Sequence, residues 1–238
     1  MVLIVHIQYC LTTVCVVCFI FIMLEIFGRT YARTEATYGI ANEFQVGIGE
    51  STCSGIFSAL PIGYGGKALL SIDELSRISL ERCNTSRCAV QLMGDLATEY
   101  GFYGVSVGIE VGAESLIVND PEEVFVFHIL PDDTGTSAVW IAQRVPDNHV
   151  AVVANMFVVR LVNLSDTFNF LGSENMFEIA KKHGLWNESM GLLDFTATFS
   201  DGEYGYRFRC LCICSVLQFD TSKIDTSKNI YKLSFFFI

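Results

Sequence analysis

The run Glu122-Glu-Val-Phe-Val-Phe-His-Ile-Leu130, with Ala138-Val-Trp-Ile-Ala-Gln-Arg-Val145 and His149-Val-Ala-Val-Val-Ala154 behind it, decides how this chain is read. Its β-branched and aromatic residues predict three successive strands: Val124–Leu130, Ala138–Val145 and His149–Ala154. Pro131-Asp-Asp-Thr-Gly135 and Pro146-Asp-Asn148 supply the turns between them. The apolar character is nearly continuous, as expected for strands covered on both faces. Yet His128, Gln143, Arg144, Asn148, His149 and Asn155 also lie in this stretch. Buried polar groups need partners, so the stretch is a candidate wall for a binding pocket as well as a core sheet.

On the N-terminal side, Tyr38–Ala41 and Val46–Ser51 read as short strands joined through 42–45, and Ser115–Val118 as another. The small residues Gly47, Gly49, Ser51, Thr52 and Ser54 allow either a close approach by a ligand or tight sheet packing. Ser71-Ile-Asp-Glu74 is a capping box, and Leu75, Ile78 and Leu80 give the helix behind it an apolar face. A second helix is expected from Thr85 to a stop at Gly101. Downstream, Ser173 is expected to cap a helix that ends at Lys181-Lys-His183, and Asp194–Phe199 reads as a short helical turn.

The ends differ in character. Residues 2–27 are almost wholly apolar and long enough to cross a bilayer. No Lys or Arg precedes them, so a signal anchor fits better than a cleaved signal. Arg29 and Arg33 favour a cytoplasmic downstream side. Asn84-Thr-Ser86, Asn163-Leu-Ser165 and Asn187-Glu-Ser189 are glycan acceptors that matter only in a lumen. The expected division is a leader at 1–33 (an apolar helix and candidate membrane contact), a domain at 34–209 and a divergent tail at 210–238. A genuine leader would make the protein membrane-anchored, secretory or lysosomal.

A formal charge of −11 with no basic patch argues against a nucleic-acid partner. The nine cysteines form no paired CxxC units with a nearby His, so no metal site is expected. No cofactor motif, GxSxG elbow or HExxH pair is present. His183 reads as a helix-end residue, and His128 as a hydrogen-bonded core or rim residue. Arg144 and Asp147 are placed to pair across their turn. Composition and spacing alone give a mixed α/β domain of unassigned function.

Several separate segments, in order, resemble one family. Asn42-Glu43 with Gly47-Ile-Gly-Glu-Ser-Thr-Cys-Ser-Gly55, Gly112-Ala-Glu-Ser, Ala138-Val-Trp-Ile-Ala-Gln-Arg-Val-Pro-Asp147 and Val153-Ala-Asn-Met-Phe157 are similar to the C69 dipeptidases. Leu185-Trp186 and Asp194-Phe-Thr196 continue the likeness, which covers roughly 34–205. These are thiol peptidases of the N-terminal-nucleophile superfamily. The resemblance implies an α+β fold: an αββα four-layer sandwich, here incomplete. It also implies metal-free hydrolysis of dipeptides, in which an N-terminal cysteine attacks the carbonyl and its own α-amino group is the base. By the same similarity Thr52 falls on an oxyanion-side position and Asn155 on a catalytic asparagine, and loss of either side chain should depress turnover. The nucleophile itself is not identified. Cys10, in Cys10-Leu-Thr-Thr13, lies inside the leader and too close to Asn42 to leave room for the intervening strands. Gly202-Glu-Tyr204 matches the family, but Arg207 and Arg209 lead straight into the divergent tail. The alternative is a catalytically inactive, membrane-anchored homologue that binds peptides or a partner.

Overall fold

Seven antiparallel strands, paired in simple chain order, form the sheet that carries everything else. The computed structural model describes residues 30–105 and 112–202. The apolar leader, Arg207, Arg209 and the tail at 210–238 lie outside the described residues. Among the described residues no helix is long and apolar enough to cross a membrane.

The strands are β1 Arg33–Glu35, β2 Gly39–Asn42, β3 Gly47–Cys53, β4 Ala113–Asn119, β5 Val124–Pro131, β6 Ala138–Arg144 and β7 Phe170–Gly172. The helices are α1 Ile72–Arg82, α2 Ser86–Tyr100, α3 Asn175–Lys182 and α4 Phe195–Phe199. Two core clusters lie on opposite faces of the sheet. Phe125, Phe127 and Ile129 of β5 share one cluster with Leu75 of α1 and Met93 of α2. Val126 and Leu130 share the other with Phe157, Val159, Met176 and Phe195. This double burial is what the near-continuous apolar run predicts. Each fully buried large side chain contributes about 2 kcal/mol.

The helix ends follow their sequence signals. The Glu74 amide donates to Ser71 Oγ at 3.3 Å, and the Ser71 amide donates to Glu74 Oε2 at 2.7 Å, closing the capping box of α1. Thr85 Oγ1 accepts from the Cys88 amide at the start of α2, and Gly101 stops that helix at φ 78°. Asp120 ties the start of α2 to the sheet by accepting from the Ser86 amide at 2.6 Å and the Ser86 hydroxyl at 2.8 Å. Burial alone would raise the Asp120 carboxyl. The amides of Ser86, Glu123 and Glu122 more than offset this and hold it below the usual range.

Two expectations are corrected. His149–Ala154 is not a strand: after β6 the chain turns at Pro146–His149 and runs irregularly, with Val150 62 % exposed. The edge of β6 that it would need is taken by β7, through the pairs Ile141↔Gly172 and Gln143↔Phe170. Ser173 does not cap α3, whose N-cap is Glu174 without a side-chain bond. Ser173 Oγ instead accepts from the Trp140 amide at 3.0 Å, fastening the α3 entry to β6. The short edge strands β1 and β7 were not foreseen. At three residues each they are too brief to show a period.

Other readings hold. Arg144 Nη2 meets Asp147 Oδ1 at 2.7 Å and Arg144 also bonds Glu123. His183 closes α3 and pairs with Asp133. The small residues at the start of β3 serve tight pairing, since a Cβ on Gly47 would lie 2.9 Å from Asn119 Oδ1 across the strand.

Gly94 gives a stability test. It sits mid-helix in α2, where Gly→Ala normally gains about 1 kcal/mol. Here an added Cβ would lie 2.1 Å from Trp140 Cε2, and that ring is fixed by its Nε1–H bond to Thr98 Oγ1 at 3.1 Å. The overlap outweighs the helix gain. Gly94→Ala is expected to destabilise the fold by about 2 kcal/mol in urea unfolding, and a stabilised variant would refute this packing.

Candidate functional site

Register places the matched segments side by side. Ser51 pairs with Ser115, Thr52 with Glu114 and Cys53 with Ala113, while Ser115 also pairs with His128 of β5. Strand alternation then sends Ser51, Cys53, Ser115 and His128 to one face and Glu50, Thr52 and Glu114 to the face that carries α1 and α2.

On the first face the polar side chains form a continuous chain. Cys53 Sγ lies 2.9 Å from Ser115 Oγ, which lies 2.7 Å from His128 Nδ1. His128 Nε2 accepts the amides of Val158 at 2.8 Å and Val159 at 3.2 Å. Two donors on Nε2 put the ring proton on Nδ1, which therefore donates to Ser115 Oγ. Ser115 in turn donates to the Met156 carbonyl at 3.2 Å.

The Cys-Ser-His trio has the composition of a nucleophilic relay and the wiring of a clamp. The basic nitrogen of His128 is occupied by the backbone, and burial pulls its pKa down to about 3, with the Phe127 carbonyl opposing weakly. Burial also pushes the Cys53 thiol far up, against the lowering effect of Ser115, so it is not an activated nucleophile. What the clamp does is pin residues 156–159 onto the sheet.

That pinning presents Asn155. It is exposed, in the left-handed region at φ 52°. Its amide donates to Ser51 Oγ at 2.7 Å, and its Nδ2 donates to the Thr52 carbonyl at 2.8 Å. The two residues singled out from the sequence thus meet, although their segments are about a hundred positions apart. They meet through the Thr52 main chain. The Thr52 hydroxyl points to the opposite face, donating to Glu50 Oε1 at 2.8 Å.

On that face Glu114 is fully buried, and neither carboxyl oxygen has an aligned hydrogen-bond partner. Burial, then the neighbouring Glu50 and Asp73, raise it well above the carboxylate range, with Thr52 opposing. Burial therefore favours its neutral, protonated form over the carboxylate, compared with an exposed glutamate. Sequence reasoning missed Glu114 as well as the Ser115–His128 link. The available signal was a lone Glu and Ser inside an otherwise apolar strand. Among the described residues, no group of three His, Cys, Asp or Glu side chains could hold a metal ion.

The profile of peptidase family C69 matches residues 30–211, which include β3, β4, the clamp and Asn155. The chain belongs to peptidase family C69. A probable dipeptidase of Salmonella dublin is 26% identical over 185 residues, covering 74% of this chain and 40% of that protein. A probable dipeptidase of Latilactobacillus sakei is 28% identical over 116 residues, covering 49% of this chain and 22% of that protein. The chain therefore spans less than half the length of either of these C69 relatives. Family membership accords with the mixed α/β architecture and its seven-stranded antiparallel sheet.

Proposed function

We propose that the chain is a thiol-dependent hydrolase of dipeptides, built on an αββα sandwich of which the described sheet and its helices form one half. The observation that carries this reading is Asn155, held at the surface by Ser51 and the Thr52 carbonyl within the family-matched region. A carboxamide has two amide hydrogens. One is committed to Thr52, which fixes the group's direction. The other remains to donate to the oxyanion formed when a peptide carbonyl is attacked. Preorganising that donor costs nothing at the moment of reaction, because the clamp already holds its backbone.

Attack requires a thiolate. Of the described cysteines, Cys83 and Cys88 are joined in a disulfide and Cys53 is buried with a raised pKa. The nucleophile is therefore expected outside the described residues, as an N-terminal cysteine whose free α-amino group accepts the thiol proton. Collapse of the adduct would break the C–N bond, with the α-ammonium returning its proton to the departing amine, and water would then hydrolyse the thioester with Asn155 again stabilising the oxyanion. The names of the relatives support a dipeptide as substrate.

The test is turnover of unblocked dipeptides by the mature protein, with its N-terminus read by mass spectrometry. Release of free amino acids, abolished by thiol alkylation and tied to an N-terminal cysteine, is the expected result. A mature chain that lacks such a cysteine and binds dipeptides without cleaving them would replace this reading with that of an inactive binding homologue. Thr52→Val separates the two parts of Thr52. It keeps the carbonyl that aims Asn155 and loses one hydroxyl bond, so turnover is expected to stay within about fivefold of the parent. A much larger fall would give the hydroxyl a direct part.

A further inference from the structure

Ten asparagines occur in the chain, and the structure sorts those it describes by what their side-chain nitrogen does. Asn42 Nδ2 donates to the carbonyls of Leu80 and Cys83. Asn155, Asn169 and Asn175 spend theirs on Thr52, Asp166 and Ala138. None of these four begins an Asn-X-Ser/Thr tripeptide.

The three asparagines that do begin one behave differently. Asn84, Asn163 and Asn187 are all exposed. Asn163 closes its turn through Oδ1, which accepts the Ser165 amide at 3.3 Å. Asn187 caps the short 3-10 turn Glu188–Met190 the same way, with Oδ1 accepting the Ser189 amide at 3.0 Å and the Ser189 hydroxyl. Both turns use the oxygen and leave the nitrogen, the atom that would bear a sugar, out of the bonding. Asn84 stands in the loop between α1 and α2. Its immediate neighbour Cys83 is bonded to Cys88, closing a ring that contains Asn84.

We infer that Asn84, Asn163 and Asn187 carry N-linked oligosaccharides, added in an oxidising secretory lumen. One observation independent of the tripeptides points to that compartment. The Cys83–Cys88 disulfide persists where thiols are oxidised and is rare where they are kept reduced. The only other described cysteine, Cys53, is buried, so no exposed thiol among the described residues would be at risk there. The acceptor tripeptides then lie where transfer occurs. Of the two charges read as a contrary signal, Arg29 lies outside the described residues and Arg33 has a place in the folded domain. Arg33 is part of β1 and pairs with Glu81 at 2.8 Å and with Glu35, so it serves the domain.

The chemistry is a substitution at the sugar's anomeric carbon, with a lipid-pyrophosphate-linked oligosaccharide as donor. An N–C1 bond forms to Nδ2 as the C1–O bond to pyrophosphate breaks. Nδ2 gives up one proton to a base of the transferase, and the lipid pyrophosphate departs with the bonding pair. No oxidant is involved. At Asn84 timing matters, because Ser86, the third tripeptide residue, has its hydroxyl buried against Asp120 once α2 has formed. Transfer there must precede folding.

The full-length protein, isolated from the cells that make it, is run as a denatured chain before and after peptide-N-glycosidase treatment. The expected result is a mass decrease on treatment, with Asn→Asp conversion at positions 84, 163 and 187. Asn84→Gln, Asn163→Gln and Asn187→Gln should each remove one step of the shift. Because the readout is the mass of the denatured chain, it does not require that the variants fold. Alkylation before reduction should leave Cys83 and Cys88 unmodified. An unshifted mass equal to the bare chain, or free thiols at both cysteines, overturns the inference without touching the hydrolase reading.

Discussion

Replacing Asn155 by alanine is expected to lower kcat by about 10²–10³-fold while leaving the unfolding midpoint nearly unchanged, the usual cost of deleting one oxyanion donor. The structure separates the two effects. Asn155 is exposed and its side chain makes one hydrogen bond, to the Thr52 carbonyl, so little packing is lost. Its backbone bond to Ser51 survives any substitution that keeps the amide. One confounding term remains: at φ 52° an alanine is less comfortable than an asparagine, which tolerates the left-handed region. Asn155→Gly removes that objection, since glycine adopts this conformation freely and also lacks the carboxamide. Both variants should be equally impaired. If the glycine variant keeps its activity and the alanine variant does not, Asn155 matters for the shape of the loop and the oxyanion role is wrong.

How much of this was legible beforehand depends on how locally each feature is encoded. The capping box at Ser71 and Glu74, the helix start near Thr85 and the Gly101 stop are decided within three or four residues, and all three appear as read. The central strands β5 and β6 were legible because burial on both faces leaves a dense apolar run. His149–Ala154 has the same composition and failed as a strand. Composition cannot report that β7, some twenty residues later, already occupies the edge. Thr52 and Asn155 were singled out only through family resemblance, because no local rule connects positions so far apart. That resemblance named the residues and could not say that they meet through the Thr52 carbonyl. Glu114 and the His128 clamp were invisible for a related reason: they depend on register, and a one-residue slip would exchange the faces. The Cys83–Cys88 pair spans two helix ends, so its closeness became visible only once both caps were placed.

Stability is expected to fall on the acid side through His128 and on the alkaline side through Glu114, two groups that act with opposite sign. His128 has a folded pKa of about 3 against an ordinary 6.5. In that window the unfolded chain binds a proton that the folded chain excludes, so the stabilising contribution is present above pH 6.5 and is lost as pH falls toward 3. Each unit costs about 1.4 kcal/mol. Glu114 is raised above its ordinary 4.5 by burial first and then by Glu50 and Asp73. The folded chain keeps a proton that the unfolded chain releases, so its contribution is complete below pH 4.5 and is lost as pH rises. From 4.5 upward, until His128 is neutral in both states near 6.5, the two contributions oppose one another. Below 4.5 His128 acts unopposed, and Asp120 and Glu123, whose pKa values are lowered on folding, add to the loss. Above 6.5 the His128 contribution is complete, and the loss through Glu114 is no longer offset by it. Glu114→Gln removes the need to bury an ionisable carboxyl, so the variant should lose the alkaline decline and keep the acid one. Urea unfolding at pH 4, 5.5 and 8 reads this directly. Parent stability that rises from pH 5.5 to 8, or a Glu114→Gln curve parallel to the parent across that range, would mean that Glu114 is already ionised in the folded protein and has a counter-charge beside it.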